Sequence, residues 1–240
     1  MPSSPTLFSK PKTIHPIFSC QKLSNEFVWD SDSKSECISL STNKKTAYFF
    51  DNPFSISRGT AGVRGTQPIT SNSGIYYYEV QARESLYGTA VMFGYGTEQT
   101  RLHYDNFDYV NLIGKDSTSW GLSHKGTVWH ANKSKSFCEA FFDRDIVVGV
   151  LLNTYERTLE YFIDGKYMGC AFRNLDLDNK KLYPMISSTA TDVELELVCS
   201  FKFIYRLQDL CCSAICKNFT DFDRLPLAKR LINYLKEYSI

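Results

Sequence analysis

The sequence lacks paired metal ligands and an excess of charge. Its eight cysteines never occur as Cys-x-x-Cys, and its four histidines do not cluster with them. Structural zinc sites usually present paired ligands at short spacings, so we expect no metal and no cofactor. The formal net charge of +1 over 240 residues gives no electrostatic basis for binding nucleic acid or an anionic membrane.

Long apolar runs are also missing. No stretch reaches the roughly 18 apolar residues that a membrane span requires, and the proline- and serine-rich start of the chain lacks the apolar block of a signal peptide. We therefore expect no membrane association and an intracellular location, cytoplasmic or nuclear, in which thiols stay reduced. Residues 1–22 are expected to form a flexible lead-in.

Catalytic motifs are absent as well. The sequence has no Gly-x-Ser-x-Gly, no His-Glu-x-x-His and no glycine-rich phosphate loop followed by lysine. Gly94 and Gly96 lack the third glycine of a nucleotide-binding loop, so we interpret them as part of a strand end. His124 and His130 flank an expected hairpin and are interpreted as ordinary strand or loop histidines. We expect a protein without enzymatic activity.

Short β-type segments fill the middle of the chain. They are rich in β-branched and aromatic residues and lie at 74–82, 89–97, 146–153, 158–164 and 193–199. Asp164-Gly165 predicts a type I′ hairpin turn, because that turn needs positive φ at both central residues. Many short strands without helices between them predict a mainly β fold, an antiparallel two-sheet sandwich.

The hydrophobic periodicity becomes helical near residue 206. A first apolar stripe is formed by Leu207, Leu210, Cys211, Ala214 and Ile215. After a polar stretch at 217–224, a second helix is predicted to start in the segment LPLAKRLINYLKEY, with Asp223 as its N-cap and Pro226 in its first turn. Helices this short are marginal alone in water, so their stripes must be buried. Periodicity alone favours packing on the chain's own β domain over packing on another protein.

The β region resembles the SPRY domain. The matching segments are SGIYYYEV (73–80), VMFGYGT (91–97), SWGLSHKG (119–126), VVGVLLNTYERTLEYFIDGKYMGCAF (147–172) and LYPMISS (182–188). The segments FVWD (27–30) and GTAGVRGT (59–66) extend the resemblance to the SPRY domain-containing SOCS box protein family. The resemblance implies a bent, non-catalytic β-sandwich at 23–204 that binds short peptides, followed by a helical SOCS box at 205–240. Arg157 stands where the family frequently has a turn glycine.

The resemblance also assigns partners to the C-terminal stripes. In the family, the first SOCS box helix binds elongin C, which is paired with elongin B, and here that implies a contact through Leu207, Leu210, Cys211 and Ile215. The second part resembles the segment that selects cullin-5 with its RING-box protein. The residues implied there are Leu225, Pro226, Leu227, Leu231, Tyr234 and Leu235. Ala228 replaces the second proline of the family's Leu-Pro-aliphatic-Pro pattern.

A peptide pocket is implied on the SPRY part. Its residues by resemblance are Tyr109, Leu112, Thr89, Thr189, Ala190 and Thr191. Relatives have Val-Trp-Gly at the 189–191 position, and they carry an arginine on an earlier loop that is missing near residues 49–55. Without a flat aromatic wall and a charged donor, we expect the same pocket location with a different peptide preference.

The resemblance implies a substrate-recognition subunit of an elongin–cullin–RING ubiquitin ligase. The SPRY part would hold a target protein through a short peptide, and the target would be ubiquitinated and degraded by the proteasome. One alternative is a stand-alone SPRY adaptor whose C-terminal helices pack intramolecularly. Another is a lectin-type sandwich that binds carbohydrate, although no cluster of acidic metal ligands in the sequence supports it.

Overall fold

A computed structural model describes residues 21–24, 26–50, 57–142, 145–205, 207–219 and 221–238. Within these ranges the chain forms two antiparallel sheets of eight strands each, followed by two α-helices. Sheet A has the order β14 (Lys166–Phe172), β13 (Thr158–Ile163), β12 (Ile146–Asn153), β6 (Ile75–Ala82), β16 (Val193–Ile204), β4 (Thr46–Phe49), β3 (Ile38–Leu40), and β1 (Gln21–Ser24) also pairs with β16. Sheet B has the order β11 (Lys133–Ser136), β10 (Thr127–His130), β9 (Ser119–Ser123), β7 (Val91–Thr97), β15 (Leu182–Ser188), β5 (Thr60–Gly65), β2 (Trp29–Lys34), and β8 (His103–Tyr104) also pairs with β5.

The predicted sandwich is confirmed, and the apolar segments form its central strands. β12 has the predicted bounds, and β6, β7 and β13 differ from prediction by one or two residues at an end. β16 continues past the predicted end at residue 199 to Ile204. Its second half pairs with β6, where Phe201 lies opposite Tyr77 and Phe203 opposite Ile75. Cross-strand aromatic and β-branched pairs of this kind stabilise a sheet.

Two turns show how the backbone accommodates its residues. Asp164 and Gly165 both have positive φ, 49° and 74°, which confirms the predicted hairpin turn between β13 and β14. Arg157 also adopts the left-handed conformation, with φ of 55°. Its guanidinium pairs with Asp178, and the distance from Nη1 to Oδ2 is 3.1 Å.

The main hydrophobic core lies between the two sheets. Its largest fully buried side chains are Trp29, Tyr78, Tyr95, Tyr161 and Phe49. Burying a large apolar side chain contributes about 1.5–3 kcal/mol, so this layer supplies much of the driving force for folding. It also fixes the strand ends from which the loops leave.

The C-terminal region forms a separate helical unit. It consists of α1 (Leu207–Asn218), a 3-10 helix (Phe222–Arg224) and α2 (Lys229–Tyr238). Cys212, Phe222, Ile232 and Leu235 are buried in a cluster that contains no residue of the sandwich core. Within the described ranges, no helix is long and apolar enough to cross a membrane.

The predicted start of the second helix is wrong. α2 begins at Lys229, after Leu225 has taken an extended conformation with φ of −77° and ψ of 137°. The residue before a proline is disfavoured in the helical region, so Pro226 delays the helix instead of opening it. Asp223 is therefore not its N-cap. The Asp223 carboxylate pairs with the Lys236 ammonium, whose Nζ lies 2.7 Å from Oδ2.

Candidate functional site

The ends of four strands of sheet B meet at one end of the sandwich. Ala61 pairs with Ser188, Ser188 pairs with Val91, and Met92 pairs with Ser123. The loops that enter or leave these strands therefore lie side by side. We call this surface the loop end, and it comprises residues 57–59, 83–90, 105–112, 124–126, 137–142 and 189–192.

The structure brings Thr89 and the 189–191 segment together. The Ala90 N–H donates to Thr189 Oγ1 at 2.9 Å, and the Thr189 N–H donates to the Ala90 carbonyl at 2.9 Å. A Cβ atom on Gly88 would lie only 2.8 Å from the Ala190 Cβ, so the two loops are in close contact. Thr89 and Thr191 are exposed, whereas Thr189 and Ala190 are buried. The exposed Thr89 and Thr191 therefore lie next to the buried Thr189 and Ala190.

Tyr109 lies at the same end. Its ring is 39% exposed, and its hydroxyl donates to the Ser57 carbonyl at 2.7 Å. The next residue, Val110, donates its N–H to Thr60 Oγ1 at 2.9 Å, which ties the segment to the start of β5. Because β5 is the neighbour of β15, Tyr109 and the 189–191 segment belong to one surface.

Leu112 has a different position from the one that the sequence predicts for a pocket wall. It is 1% exposed and packs with Met92, Ile113 and Met185 on the outer face of sheet B. In this position Leu112 supports the segment that carries Tyr109. A ligand would reach its side chain only after that segment had moved.

Exposed aromatic rings are concentrated at the loop end. Those found there are Tyr87, Phe107, Phe142 and Tyr109. Tyr87 is 70% exposed and directly precedes the contact between Gly88 and Ala190. Sequence reasoning did not select Tyr87, Phe107 or Phe142, although aromatic residues within polar loops were an available signal. The arginine of relatives is missing near residues 49–55, and residues 51–55 of that segment lie outside the described residues.

His124 is buried beneath the loop end and contacts the backbone at the start of β7. Its side chain is 1% exposed, and Nδ1 accepts the Val91 N–H at 3.1 Å. Burial lowers the pKa of the imidazole below its ordinary value. The interpretation of His124 as an ordinary hairpin histidine missed this contact, because the contact joins residues far apart in sequence.

α1 has one face turned inward and another turned to solvent. Cys212 is buried, and Ile215 and Cys216 are half-buried against the helical cluster. Cys211 and Ala214 are exposed. Two of the predicted partner-binding residues are therefore open or partly open to a partner, namely Cys211 and Ile215. The side chains of Leu207 and Leu210 lie outside the described residues.

The second predicted partner-binding set is also divided. Leu235 is 2% exposed and belongs to the centre of the helical cluster, and Leu225, Leu227 and Tyr234 are half-buried around it. Pro226 and Leu231 are exposed, and Leu231 keeps 51% of its surface. Leu235 therefore holds the helices together, and Leu231 is available to another protein.

Among the residues that the structure describes, no three His, Cys, Asp or Glu side chains are arranged to hold a metal ion. Both surfaces carry exposed apolar side chains among charged and polar ones, a composition that suits the binding of protein segments.

Comparison with known proteins agrees with the sandwich. The family model of the SPRY domain matches residues 75–199. SPRY domain-containing SOCS box protein 3 of Xenopus tropicalis is 35% identical over 208 residues, which are 85% of this chain and 55% of that protein. The Xenopus laevis protein of the same name is 33% identical over 210 residues, 85% of this chain and 56% of that protein. The chain thus spans just over half the length of these relatives.

A solved structure shows the same fold. The SPRY domain of human HERC1 superposes with a TM-score of 0.55 at 15% identity, covering 71% of this chain and 96% of that one. At this identity the likeness concerns the fold alone. The matched segment and the two relatives show that the chain belongs to the SPRY-domain family and is similar, within it, to the SPRY domain-containing SOCS box proteins.

Proposed function

We propose that the chain is the substrate receptor of an elongin–cullin–RING ubiquitin ligase. Residues 23–204 form the SPRY domain, whose loop end binds a short peptide of a target protein. Residues 205–240 form the SOCS box, which recruits elongin C with elongin B and cullin-5 with its RING-box protein. The chain itself supplies no catalytic residue and works in the cytoplasm or nucleus.

The exposed face of α1 carries this proposal. A helix whose Cys212 face is already buried within the chain keeps a second face, with Cys211 and Ala214, open to solvent. Small side chains allow close approach of a partner, and a free cysteine behaves as a small apolar group. The relatives in Xenopus have SOCS box in their names, which supports assigning this face to elongin C.

The loop end supports the substrate half of the proposal. Its rings at Tyr87, Phe107, Tyr109 and Phe142 offer the kind of side chain that dominates protein recognition. Holding a target next to a ubiquitin-charged enzyme raises the effective concentration of the target's lysines. Tethering is thus the contribution of this chain, and the target would be ubiquitinated and degraded.

Binding of purified elongin B/C to the 240-residue chain tests the proposal. We expect binding in isothermal titration calorimetry, and we expect Leu207→Ala combined with Cys211→Phe to abolish it. Asn233→Phe is the matched control, because Asn233 is also exposed but lies on α2. Unchanged binding of the double variant would refute the SOCS box assignment.

The alternative of a stand-alone adaptor is supported by one observation. The buried side chains of the helices already pack with one another, at Cys212, Ile232 and Leu235. An adaptor whose helices stabilise the rest of the chain predicts that a 1–204 fragment unfolds or aggregates. The receptor predicts a soluble 1–204 fragment that keeps its peptide but loses elongins and cullin-5, measurable by affinity capture and mass spectrometry.

A further inference from the structure

We propose that Phe107 is a specificity-determining residue of the loop end: its exposed ring, flanked in the chain by the carboxylates of Asp105 and Asp108, binds an arginine or lysine side chain of the target peptide. The inference deepens the peptide-binding function proposed above and rests on it. It names the chemical class of the peptide, which carries a positive charge where it meets the turn at 105–108.

The turn at 105–108 has an unusual central residue. The Asp108 N–H donates to the Asp105 carbonyl at 3.1 Å, and Asn106 and Phe107 both have positive φ, 57° and 63°. Positive φ at both central residues is the pattern of a type I′ turn, which favours glycine, asparagine or aspartate. A bulky side chain is rare in this left-handed conformation, because its Cβ approaches the following carbonyl oxygen. Phe107 therefore occupies a position at which the backbone favours glycine.

Burial within the chain does not offset the strain at Phe107. The residue is 58% exposed, and it belongs to none of the hydrophobic clusters formed by the described residues. Its ring also makes no aromatic contact within the part of the chain that the structure describes. Backbone strain of this kind is concentrated at binding sites, and exposed aromatic rings are frequent anchors of protein recognition. We therefore assign the ring to the binding of a partner.

Hydrogen bonds hold the turn against the start of β5. The Phe107 N–H donates to the Arg58 carbonyl at 2.6 Å, and Thr60 Oγ1 donates to the Asp108 carbonyl at 2.9 Å. Thr60 Oγ1 also accepts the Val110 N–H at 2.9 Å. The backbone that carries the ring and the two carboxylates is thus fixed before a ligand arrives, so binding requires little ordering of this loop.

The two carboxylates of the turn are open to a cation. Asp105 and Asp108 are exposed, and neither carboxylate forms an ion pair or a hydrogen bond with another described residue. At the opposite end of the sandwich, the exposed Asp176 and Asp178 each pair with a cationic side chain of the chain itself. A cation is attracted both by an aromatic face and by a carboxylate. The turn therefore complements the side chain of an arginine or a lysine.

Two basic side chains of the chain itself lie near the turn in sequence or in the fold. The Arg101 guanidinium lies over the Tyr104 ring, 5.6 Å from its centroid. Arg58 is exposed, and only its carbonyl is bonded to the turn. Within the described ranges, no ion pair joins either arginine to Asp105 or Asp108. The two carboxylates are therefore not neutralised by these arginines.

Thermal unfolding of the 240-residue chain tests the role of Phe107 without a ligand. Phe107→Gly relieves the left-handed conformation, so the Tm should stay the same or rise by up to about 4 °C. Phe219→Gly is the matched control, because Phe219 is 48% exposed and its φ is not positive. Its Tm should not rise. A fall of more than about 2 °C in Phe107→Gly would show that the ring stabilises the fold, and the inference would be wrong.

Peptide selection tests the preference for charge. The probes are three displayed pools of short random peptides that are identical except for a central arginine, glutamine or glutamate. The wild-type chain should enrich the arginine pool, because the turn offers two free carboxylates beside an aromatic ring. Binding of the enriched peptides should be lost in Tyr109→Ala, which shows that they bind at the loop end. The Tm of this variant is measured as well, to confirm that it folds.

A double-mutant cycle then measures the contact itself. Replacing the central arginine of an enriched peptide by glutamine should raise its Kd for the wild type about tenfold, as expected for a cation–π contact together with exposed ion pairs. The same replacement should raise Kd by no more than about threefold when Asp105→Asn is combined with Asp108→Asn, and likewise in Phe107→Gly. Asp176→Asn combined with Asp178→Asn is the matched control and should keep the tenfold effect.

The outcomes separate the inference from the function on which it rests. If no pool yields a peptide whose binding depends on Tyr109, the peptide-binding function fails and the inference fails with it. If Tyr109-dependent peptides are recovered without a preference for the arginine pool, the loop end binds peptides but the inference is wrong. A tenfold effect that persists when both Asp105 and Asp108 are replaced would equally overturn it.

Discussion

The rings of Tyr78 and Tyr95 lie edge to face in the core, with centroids 5.5 Å apart and an interplanar angle of 74°. Both residues are 1% exposed, yet their hydroxyls differ. Tyr78 donates to the Gly94 carbonyl at 2.7 Å, whereas the Tyr95 hydroxyl has no hydrogen-bond partner among the described residues. A cavity of about 10 Å³ lined by Tyr95, Ser200 and other residues has room for one water molecule at most.

Replacing each of these tyrosines by phenylalanine should have different effects on stability. Tyr78→Phe should lower the free energy of unfolding by about 1 kcal/mol, because it removes a made hydrogen bond. Tyr95→Phe should leave it unchanged or raise it by up to about 1 kcal/mol, because it removes a buried hydroxyl without a partner. Urea denaturation measures both values. Equal losses would mean that a water molecule in the cavity serves Tyr95.

The two adjacent cysteines of α1 should tolerate phenylalanine differently. Cys211 is exposed, so Cys211→Phe should change the free energy of unfolding by no more than about 0.5 kcal/mol. Cys212 is buried among Phe222, Ile232 and Leu235, and an added ring there should cost about 1–3 kcal/mol by overpacking. Far-UV circular dichroism during thermal unfolding follows the helices directly. A helical unit destabilised equally by both changes would contradict the assigned faces.

Leu231 and Leu235 separate partner binding from packing in α2. Leu235→Ala should cost about 2–5 kcal/mol and disrupt the helical cluster, so that binding of both elongin B/C and cullin-5 is lost. Leu231→Ala removes an exposed side chain and should weaken binding of purified cullin-5 to the elongin-loaded chain while elongin binding stays unchanged. Cullin-5 affinity that is insensitive to Leu231 would remove this residue from the proposed contact.

Two glycines of the sandwich should respond to alanine for different reasons. Gly165 has a φ of 74° and nothing within 4 Å of an added Cβ, so Gly165→Ala should cost about 1–2 kcal/mol from backbone strain alone. At Gly94 the added Cβ would lie 2.0 Å from the Trp120 carbonyl oxygen, which belongs to the backbone of the paired strand. Gly94→Ala should therefore prevent formation of the β7–β9 pair. The yield of soluble protein and its thermal unfolding distinguish the two.

The strands that could be predicted from the sequence are those whose side chains alternate between apolar and polar. In β12, Val148, Val150 and Leu152 alternate into the core, and the strand has its predicted bounds. β11, with the sequence KSKS, has no apolar residue and all its side chains are exposed. It forms because it pairs with β10 across a tight turn, which a hydrophobic pattern does not reveal.

Less of the candidate site than of the fold could be predicted from the sequence. Periodicity placed Cys211 on the apolar stripe of α1, whereas the cysteine that turns inward within the chain is its neighbour Cys212. Ala90 and Thr189 form hydrogen bonds because β7 and β15 are adjacent in sheet B, although the two residues are far apart in the chain. Nonconsecutive strand order of this kind is a property of the whole fold, and only the family resemblance pointed to it.

β16 has a consequence for the geometry of the proposed ligase. It starts at Val193, directly after the loop end, and finishes at Ile204, shortly before α1 begins at Leu207. Its 12 residues at about 3.3 Å each span about 40 Å. The strand is paired with β6 on one side and with β4 and then β1 on the other, so its length is held by the sheet. Under the proposed function, a target held at the loop end and partners bound to the helices would be separated by this strand, whose length the sheet keeps constant.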